Sequence, residues 1–338
     1  MVAEVAVRPV SPRCLPRHAG GDLVLRRHGP WLERLLVVDD RPMVVRARQG
    51  EGEFIFGAEP VDPLRLEGPG ADRLRAAGED SLRTGIDRLR FSLGLDDDLR
   101  EFREAFGKDP LLGPALRSRL GSRPLRRAAA WEALLWAITE QLIEYRRAAR
   151  IQRQLIRKYG VRFEAGMEIS PAAGPARVAS GRRYSHRRLL ATVPSAGAIA
   201  AAAPAGLEAC GLAGRRAIAM VKVAREVASG RVDPEDSSGD RRLLAIPEIG
   251  PWTLACLGLR GRGDEDALLA GDLGQVKLVG YLRGLGRLAE VDEVREFYAP
   301  YAPWRGLAGD LLLMAHGAAL HGPGNRARIR QRARGQAA

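Results

Sequence analysis

Cysteine, histidine and lysine are all scarce in this 338-residue chain, and each scarcity removes a class of function. The three cysteines, Cys14, Cys210 and Cys256, are far apart and odd in number. They form no CxxC pair, no zinc pattern and no disulfide framework, and they fall short of the four thiolates of an ordinary iron–sulfur cluster. The five histidines are scattered without an HExxH spacing, so a catalytic transition metal is not expected. No run of about 18 apolar residues exists, so no membrane association is expected. The first residues, MVAEVAVRPVSPR, hold no apolar core of a secretory leader, and the cytoplasm is the expected compartment. Lysine occurs only at 108, 158, 222 and 277, so arginine supplies nearly all of the 54 basic residues.

Those bases outweigh 41 acids and leave a net charge of +13. Such a surface attracts polyanions, DNA foremost, although a chain rich in Arg, Ala and Gly is also what a GC-rich genome encodes. The 46% hydrophobic content suffices for real cores, and the length suggests two or three domains.

Leu23–Leu25, Leu35–Val38, Met43–Arg46 and Glu53–Phe56 are short β-prone runs, with Asp39-Asp40-Arg41-Pro42 as a turn. From Ser81 the pattern becomes helical and stays so. The expected fold is mainly α with an N-terminal α+β domain. Residues 1–80 form a small β-rich unit, 81–325 a helical domain of two lobes, and 326–338 a basic tail. The tail reads as a solvated terminus or a DNA-binding arm. The clearest helix spans Trp131 to Tyr159, with Trp131, Leu134, Leu135, Ile138, Leu142 and Tyr145 on one apolar stripe. Residues 160–190 read as a long loop. Short helices follow near 196–203, 207–210 and 215–229, the last stopped by Gly230.

The informative stretch is Arg241 to Lys277. A short helix ends near Ala245, and Ile246-Pro247-Glu248-Ile249-Gly250 makes a turn. Pro251 then stands at a favoured first helical position. The glycine at 250 is read as permitting a backbone geometry that a side chain would obstruct. A tight turn feeding a helix leaves amides unpaired, and with the helix dipole these can hold a phosphate. Taken alone, the turn is equally an ordinary αα-hairpin. Asp272 precedes an apolar helix, Leu273 to Leu282, with Gln275 three residues on. Spacing alone makes this a capping-box pattern.

Together these motifs resemble the helix-hairpin-helix DNA glycosylases. The family pattern is Leu-Pro-Gly-hydrophobic-Gly-x-x-Thr-Ala with an Asp further on, and Pro247, Ile249, Gly250, Thr253 and Asp272 fall into it in order. The bacterial 3-methyladenine DNA glycosylase II group is the most similar. Pro251-Trp252-Thr253 follows the hairpin. Trp131-Glu132-Ala133-Leu134 and Ile138-Thr139-Glu140-Gln141 match upstream, as do Gly211, Leu212, Arg215 and Ala217. The resemblance covers roughly Leu93 to Leu320.

It implies a monofunctional enzyme that flips alkylated purines, of the 3-methyladenine and 7-methylguanine type, out of damaged double-stranded DNA and hydrolyses the base–sugar bond. Asp272 would be the catalytic carboxylate, stabilising cationic character on the deoxyribose and orienting water. Alkylated purines already carry positive charge, so no strong acid for the leaving group is required. Ile246, Pro247, Ile249, Gly250 and Thr253 would hold a DNA phosphate. Gln141 and Leu142 would wedge into the duplex, although Leu142 also fits the apolar stripe. Trp252 would stack on the base. It also occupies the position where bifunctional relatives carry a Schiff-base lysine. Cys256 and Leu313 stand where relatives have aromatic rings. No cofactor is implied beyond a monovalent cation at the hairpin–phosphate contact. The resemblance implies a monomer acting at the bacterial nucleoid. One residue departs from the pattern: Glu248 replaces the first hairpin glycine, putting a carboxylate where a phosphate would approach. A non-catalytic helix-hairpin-helix DNA-binding protein, with Asp272 only a cap, is the competing reading.

Overall fold

The computed structural model describes residues 3–16, 21–118, 123, 126–141, 143–165 and 188–320. Leu142, most of the 160–190 stretch and the basic tail therefore lie outside the described residues.

An antiparallel five-stranded sheet opens the chain. Its order is β1 (Ala3–Val7), β5 (Phe54–Pro60), β4 (Arg41–Gln49), β3 (Trp31–Val38) and β2 (Arg26–His28). β3 and β4 pair in register from Trp31–Arg48 to Val38–Arg41, so the connection is Asp39–Asp40 alone. Both aspartates take positive φ, 49° and 61°, as a two-residue turn of the mirror-image type requires. The expected strand at Leu23–Leu25 is displaced to Arg26. Leu23 is left-handed (φ 67°), and the chain there is fixed by Asp22, which accepts from Val24 N, Trp136 Nε1 and Arg127 Nη1.

Helix α1 (Glu79–Leu93) covers one face of the sheet. Leu82, Ile86, Leu89 and Leu93 recur at helical spacing and pack on Leu32, Met43, Val45, Phe54 and Phe56. The other face, at Leu35 and Val44, meets a second antiparallel sheet of β6 (Leu66–Glu67), β7 (Arg162–Ala165) and β8 (Arg188–Ala191). The helical pattern after Ser81 is thus interrupted, and both ends of the expected 160–190 loop are strands. Phe163 and Leu190 bury in the space under the first sheet, which periodicity over so few residues could not reveal.

Two helical cores follow. Helices α2 (Arg100–Phe106) and α3 (Leu112–Ser118) run toward the second of them. The first is built from α4 (Ala130–Glu140), α5 (Tyr145–Tyr159), α6 (Ala196–Ala200), α7 (Pro204–Glu208), α8 (Gly214–Ala228) and α9 (Asp240–Leu244). Leu134, Ile138, Leu155, Met220, Val223 and Leu243 lie at its centre. After α10 (Pro251–Leu257), helices α11 (Leu273–Leu282), α12 (Val291–Tyr298) and α13 (Arg305–Leu320) close the second core against α2 and α3. Ala137, Cys256, Leu259 and Leu269 form a small cluster that α4 and α10 share.

The long helix expected from Trp131 to Tyr159 is two helices. α4 stops at Gln141, which leaves the helical region (φ −54°, ψ 124°). Its carbonyl accepts from Arg216 Nη1 at 2.6 Å instead of continuing the helical ladder. Tyr145 is not on the apolar stripe either: it is exposed, and its hydroxyl accepts from Gly21 N.

Candidate active site

The hairpin runs from α9 through Ile246–Gly250 into α10. Ile246 and Ile249 are buried in the first helical core, while Pro247 and Glu248 face solvent. The unusual backbone sits at Glu248, with φ 73°. Gly250 is extended (φ −122°, ψ −178°), and a Cβ there would meet nothing within 4 Å. The sequence-based reason for Gly250 is therefore corrected: the backbone does not need glycine, but its absent side chain leaves an open face beside the helix N-terminus. Among the described residues, no acceptor takes the amides of Glu248 and Gly250. They remain available, at the positive end of α10, to an anionic ligand.

Thr253 is turned inward and almost fully buried. Its Oγ1 meets Gln141 Nε2 at 2.9 Å, and the same amide donates to the Glu248 carbonyl at 2.8 Å. Gln141 thus ties the α4–α5 break to the hairpin. Arg216 completes the junction. Burial and the like charge of Arg147 lower its basicity, and Glu248 partly offsets this. Glu248 thus lies near enough to Arg216 to offset part of the positive charge gathered there.

Asp272 caps α11: its Oδ1 accepts from Gly274 N at 2.7 Å. The capping box expected from spacing does not form. Gln275 is buried, and its Oε1 accepts from Tyr298 Oη at 2.8 Å. The core takes this side chain because Tyr298, fully buried, needs an acceptor. Asp272 itself is half-buried.

Opposite lies one face of α10 and its continuation. Trp252, Cys256 and Arg260 are four residues apart, on one side of a helix that ends in a π turn, Gly258–Arg262. Gly261 lets that turn approach α4 closely, since a Cβ there would lie 2.9 Å from Ala133 Cβ and 3.0 Å from Ala130 Cα. Trp252 is half-buried against the small cluster of Cys256, Leu259 and Leu269, and its indole N–H finds no acceptor among the described residues. Burial pushes the Cys256 thiol far up, so it stays neutral. Arg260 pairs with Glu140 at 2.9 Å. Burial alone would weaken this guanidinium, but the acidic groups around it, Glu140 foremost among the carboxylates, raise it, and it remains a cation. Leu313 of α13 lies over the Asp272 cap, 3.2 Å from the position of a Cβ on Gly274. Of the expected site residues, Trp252 packs against the cluster of Cys256 and Leu269, the charge of Asp272 is felt at Cys256, and Gln141, Thr253 and the hairpin loop are tied to one another.

Sequence reasoning missed Glu140, Arg216, Arg260 and Asp310. Glu140 lay inside a quoted motif and Arg216 beside one. Asp310 carried its own signal, being the only acidic residue in α13. Among the described residues, no group of three or more His, Cys, Asp or Glu could hold a metal ion.

No protein-family model matches the chain. Its fold is that of the 3-methyladenine DNA-glycosylase from Archaeoglobus fulgidus, with a TM-score of 0.66, 19% identity, and 88% of this chain and 90% of that one covered. In sequence it is similar to the DNA-3-methyladenine glycosylase of Bacillus subtilis, 26% identical over 220 residues, spanning 63% of this chain and 66% of that protein. The chain is thus similar to 3-methyladenine DNA glycosylases in sequence and shares the fold of one of them. A further relative is the probable bifunctional transcriptional activator/DNA repair enzyme AlkA of Mycobacterium tuberculosis, 29% identical over 230 residues. That match spans 67% of this glycosylase-like chain and 42% of the mycobacterial protein, so the chain covers just under two-thirds of one relative and under half of the other. No described helix of the glycosylase-like chain is long and apolar enough to cross a membrane.

Proposed function

We propose that the chain is a monofunctional DNA glycosylase that removes alkylated purines, of the 3-methyladenine and 7-methylguanine type, from double-stranded DNA in base-excision repair. The observation that carries this reading is the carboxylate of Asp272, held by a backbone amide at the N-terminus of α11 and near enough to the helix that carries Trp252 for its charge to be felt at Cys256.

Breaking a base–sugar bond leaves positive charge on the sugar, and a fixed anion next to C1′ stabilises it without reorganising. The target nucleotide must leave the stack to reach Asp272. Gln141, at the break after α4, is the described residue best placed to enter the gap. Its partner in the wedge assignment, Leu142, lies outside the described residues. The Gly250 face and free hairpin amides support a phosphate contact, while Thr253 supports it from behind by holding Gln141. A monovalent cation between hairpin and phosphate is compatible with this arrangement, and the hydrolysis needs no cofactor. The protein would act as a monomer. Incubation with DNA methylated at purines, scoring free base and abasic sites, tests the reading directly. DNA binding without any base release would favour the non-catalytic alternative.

Two further outcomes follow from the hairpin. The position of a Schiff-base amine is held by Trp252, so borohydride should trap no covalent complex with abasic DNA. A trapped adduct would contradict monofunctional chemistry. Glu248→Gly should tighten DNA binding at low salt. It removes a carboxylate from the phosphate face and from the neighbourhood of Arg216. Glycine also accepts the left-handed backbone that costs a side-chain-bearing residue about 1–2 kcal/mol. The melting temperature should therefore not fall. Unchanged or weaker binding in a fluorescence-anisotropy titration would remove Glu248 from the DNA face.

A further inference from the structure

Helix α5 carries six bases and no acid in its fifteen residues. At 3.6 residues per turn, Arg146, Arg150, Arg153 and Arg157 fall within about 60° of its circumference, opposite the buried Ala148, Ile151, Gln152 and Leu155. Two of the six bases are engaged with the protein itself: Arg153 donates to the Gly21 carbonyl and Lys158 to that of Gly206. Arg146, Arg147, Arg150 and Arg157 are exposed and make no hydrogen bond or ion pair with a described residue.

Other helices of the chain treat their arginines differently. Arg83 pairs with Glu79, Arg90 with Asp87 and Arg295 with Asp292, each about one turn away. On α5 the neighbours at that spacing are Arg146 with Arg150 and Arg153 with Arg157, and like charges there repel. Arg157 and Lys158 suit the negative end of the helix dipole, but Arg146 and Arg147 stand in the first turn, at its positive end. Helix stability does not account for this ridge, since the ridge works against it. Its position is suggestive of a ligand. α5 begins at Tyr145, just past the Gln141 break whose carbonyl Arg216 holds. The charge of Arg147 is felt at Arg216, so the first turn of α5 adjoins the hairpin junction and the far turns lead away from it. From Arg146 to Arg157 the ridge is about 16 Å long, which matches about five base steps of duplex.

We propose that Arg146, Arg150 and Arg157 form a second DNA surface, which grips the phosphate backbone of undamaged duplex flanking the lesion. This rests on the base-excision reading, which puts Gln141 at the flipped nucleotide, and adds a binding site outside the catalytic one. Guanidinium groups without an intramolecular partner keep their donors for phosphate oxygens. Such contacts read no base, so the surface serves capture and sliding on any sequence rather than the choice of lesion. None of the three arginines belongs to α10, α11 or α13, so the chemistry does not pass through them.

The test removes the three charges together, as Arg146→Gln, Arg150→Gln and Arg157→Gln. Its control loses the same charge from exposed positions near the N-terminal sheet, as Arg8→Gln, Arg73→Gln and Arg75→Gln. Glutamine has about the helix propensity of arginine, and the repulsion along α5 is relieved, so the melting temperature of the triple variant should hold. In anisotropy titrations on undamaged duplex, the slope of log affinity against log salt should shrink by about 2.7 in the triple variant and stay unchanged in the control. Between about 50 and 200 mM salt, wild type should therefore lose about 40-fold more affinity than the triple variant. On a duplex with a central abasic analogue, trimming one flank should weaken wild type more than trimming the other, and the triple variant should lose that difference. Release of 7-methylguanine at saturating protein should be unchanged. An unchanged salt slope, a fall matched by the control, or the same flank dependence in both proteins would overturn the proposal. If 7-methylguanine is released in those cases, the alkylpurine reading stands and only this surface falls. If the slope shrinks as expected while wild type releases no alkylated base, the DNA surface stands and the alkylpurine reading falls.

Discussion

Asp272→Asn should abolish base release while DNA binding persists. Asparagine caps a helix about as well as aspartate, so α11 keeps its first turn and the fold is preserved. What disappears is the negative charge. Removing one preorganised electrostatic contact from a transition state typically costs about 10²–10³ in rate. The loss should exceed this if the carboxylate also takes the proton of the attacking water. The measurement is release of 3-methyladenine under single-turnover conditions, beside binding to a duplex carrying an uncleavable abasic analogue. Residual release above about a tenth of wild type would reduce Asp272 to a cap. Loss of binding together with release would mean that the variant had damaged the hairpin region rather than the chemistry.

The second large effect is on stability. Arg34 of β3 and Glu132 of α4 form a 2.8 Å ion pair whose side chains are 6% and 5% exposed. The pair belongs to a chain of charges. Arg127 reaches Asp22 at 2.8 Å, Glu132 at 3.7 Å and Glu140 at 3.6 Å, and Glu140 continues to Arg260. Glu132→Ala should destabilise the protein by about 3–5 kcal/mol, because it strands the Arg34 guanidinium in a buried site. Arg34→Met combined with Glu132→Leu should recover most of that loss, since two apolar groups leave no unpaired charge behind. Denaturant titration of both variants distinguishes these outcomes. A cost below about 1 kcal/mol for Glu132→Ala would place the pair among surface-like ion pairs.

Much of the fold was legible in local pattern. Leu82, Ile86, Leu89 and Leu93 announce α1, and Pro251 after a glycine announces α10. The two short strands β7 and β8 were not, because four residues carry too little periodicity and their burial is decided by contacts with a distant sheet. The α4–α5 break was also hidden. Nothing in its local propensity stops the helix there; Arg216, 75 residues away, takes the carbonyl of Gln141. At the site, Asp272 and Trp252 stood out because each has a fixed spacing from the hairpin. Arg260 and Asp310 did not. Asp310 is conspicuous as the one acid of α13, but that α13 folds back over α11 is a tertiary fact that no window of sequence contains. Gln275 shows the same limit in reverse. Its spacing fitted a cap perfectly well, and a buried tyrosine claimed it.

The double attachment of Gln141 to Glu248 and Thr253 has an evolutionary corollary. Gln141 cannot be displaced or replaced without also loosening the hairpin, so a change at the end of α4 is also a change in the hairpin. Variation that adapts such a scaffold to other lesions is then channelled away from this junction. Leu313 of α13, which packs on Gly274 of α11, makes no contact with that junction and can be exchanged without disturbing it.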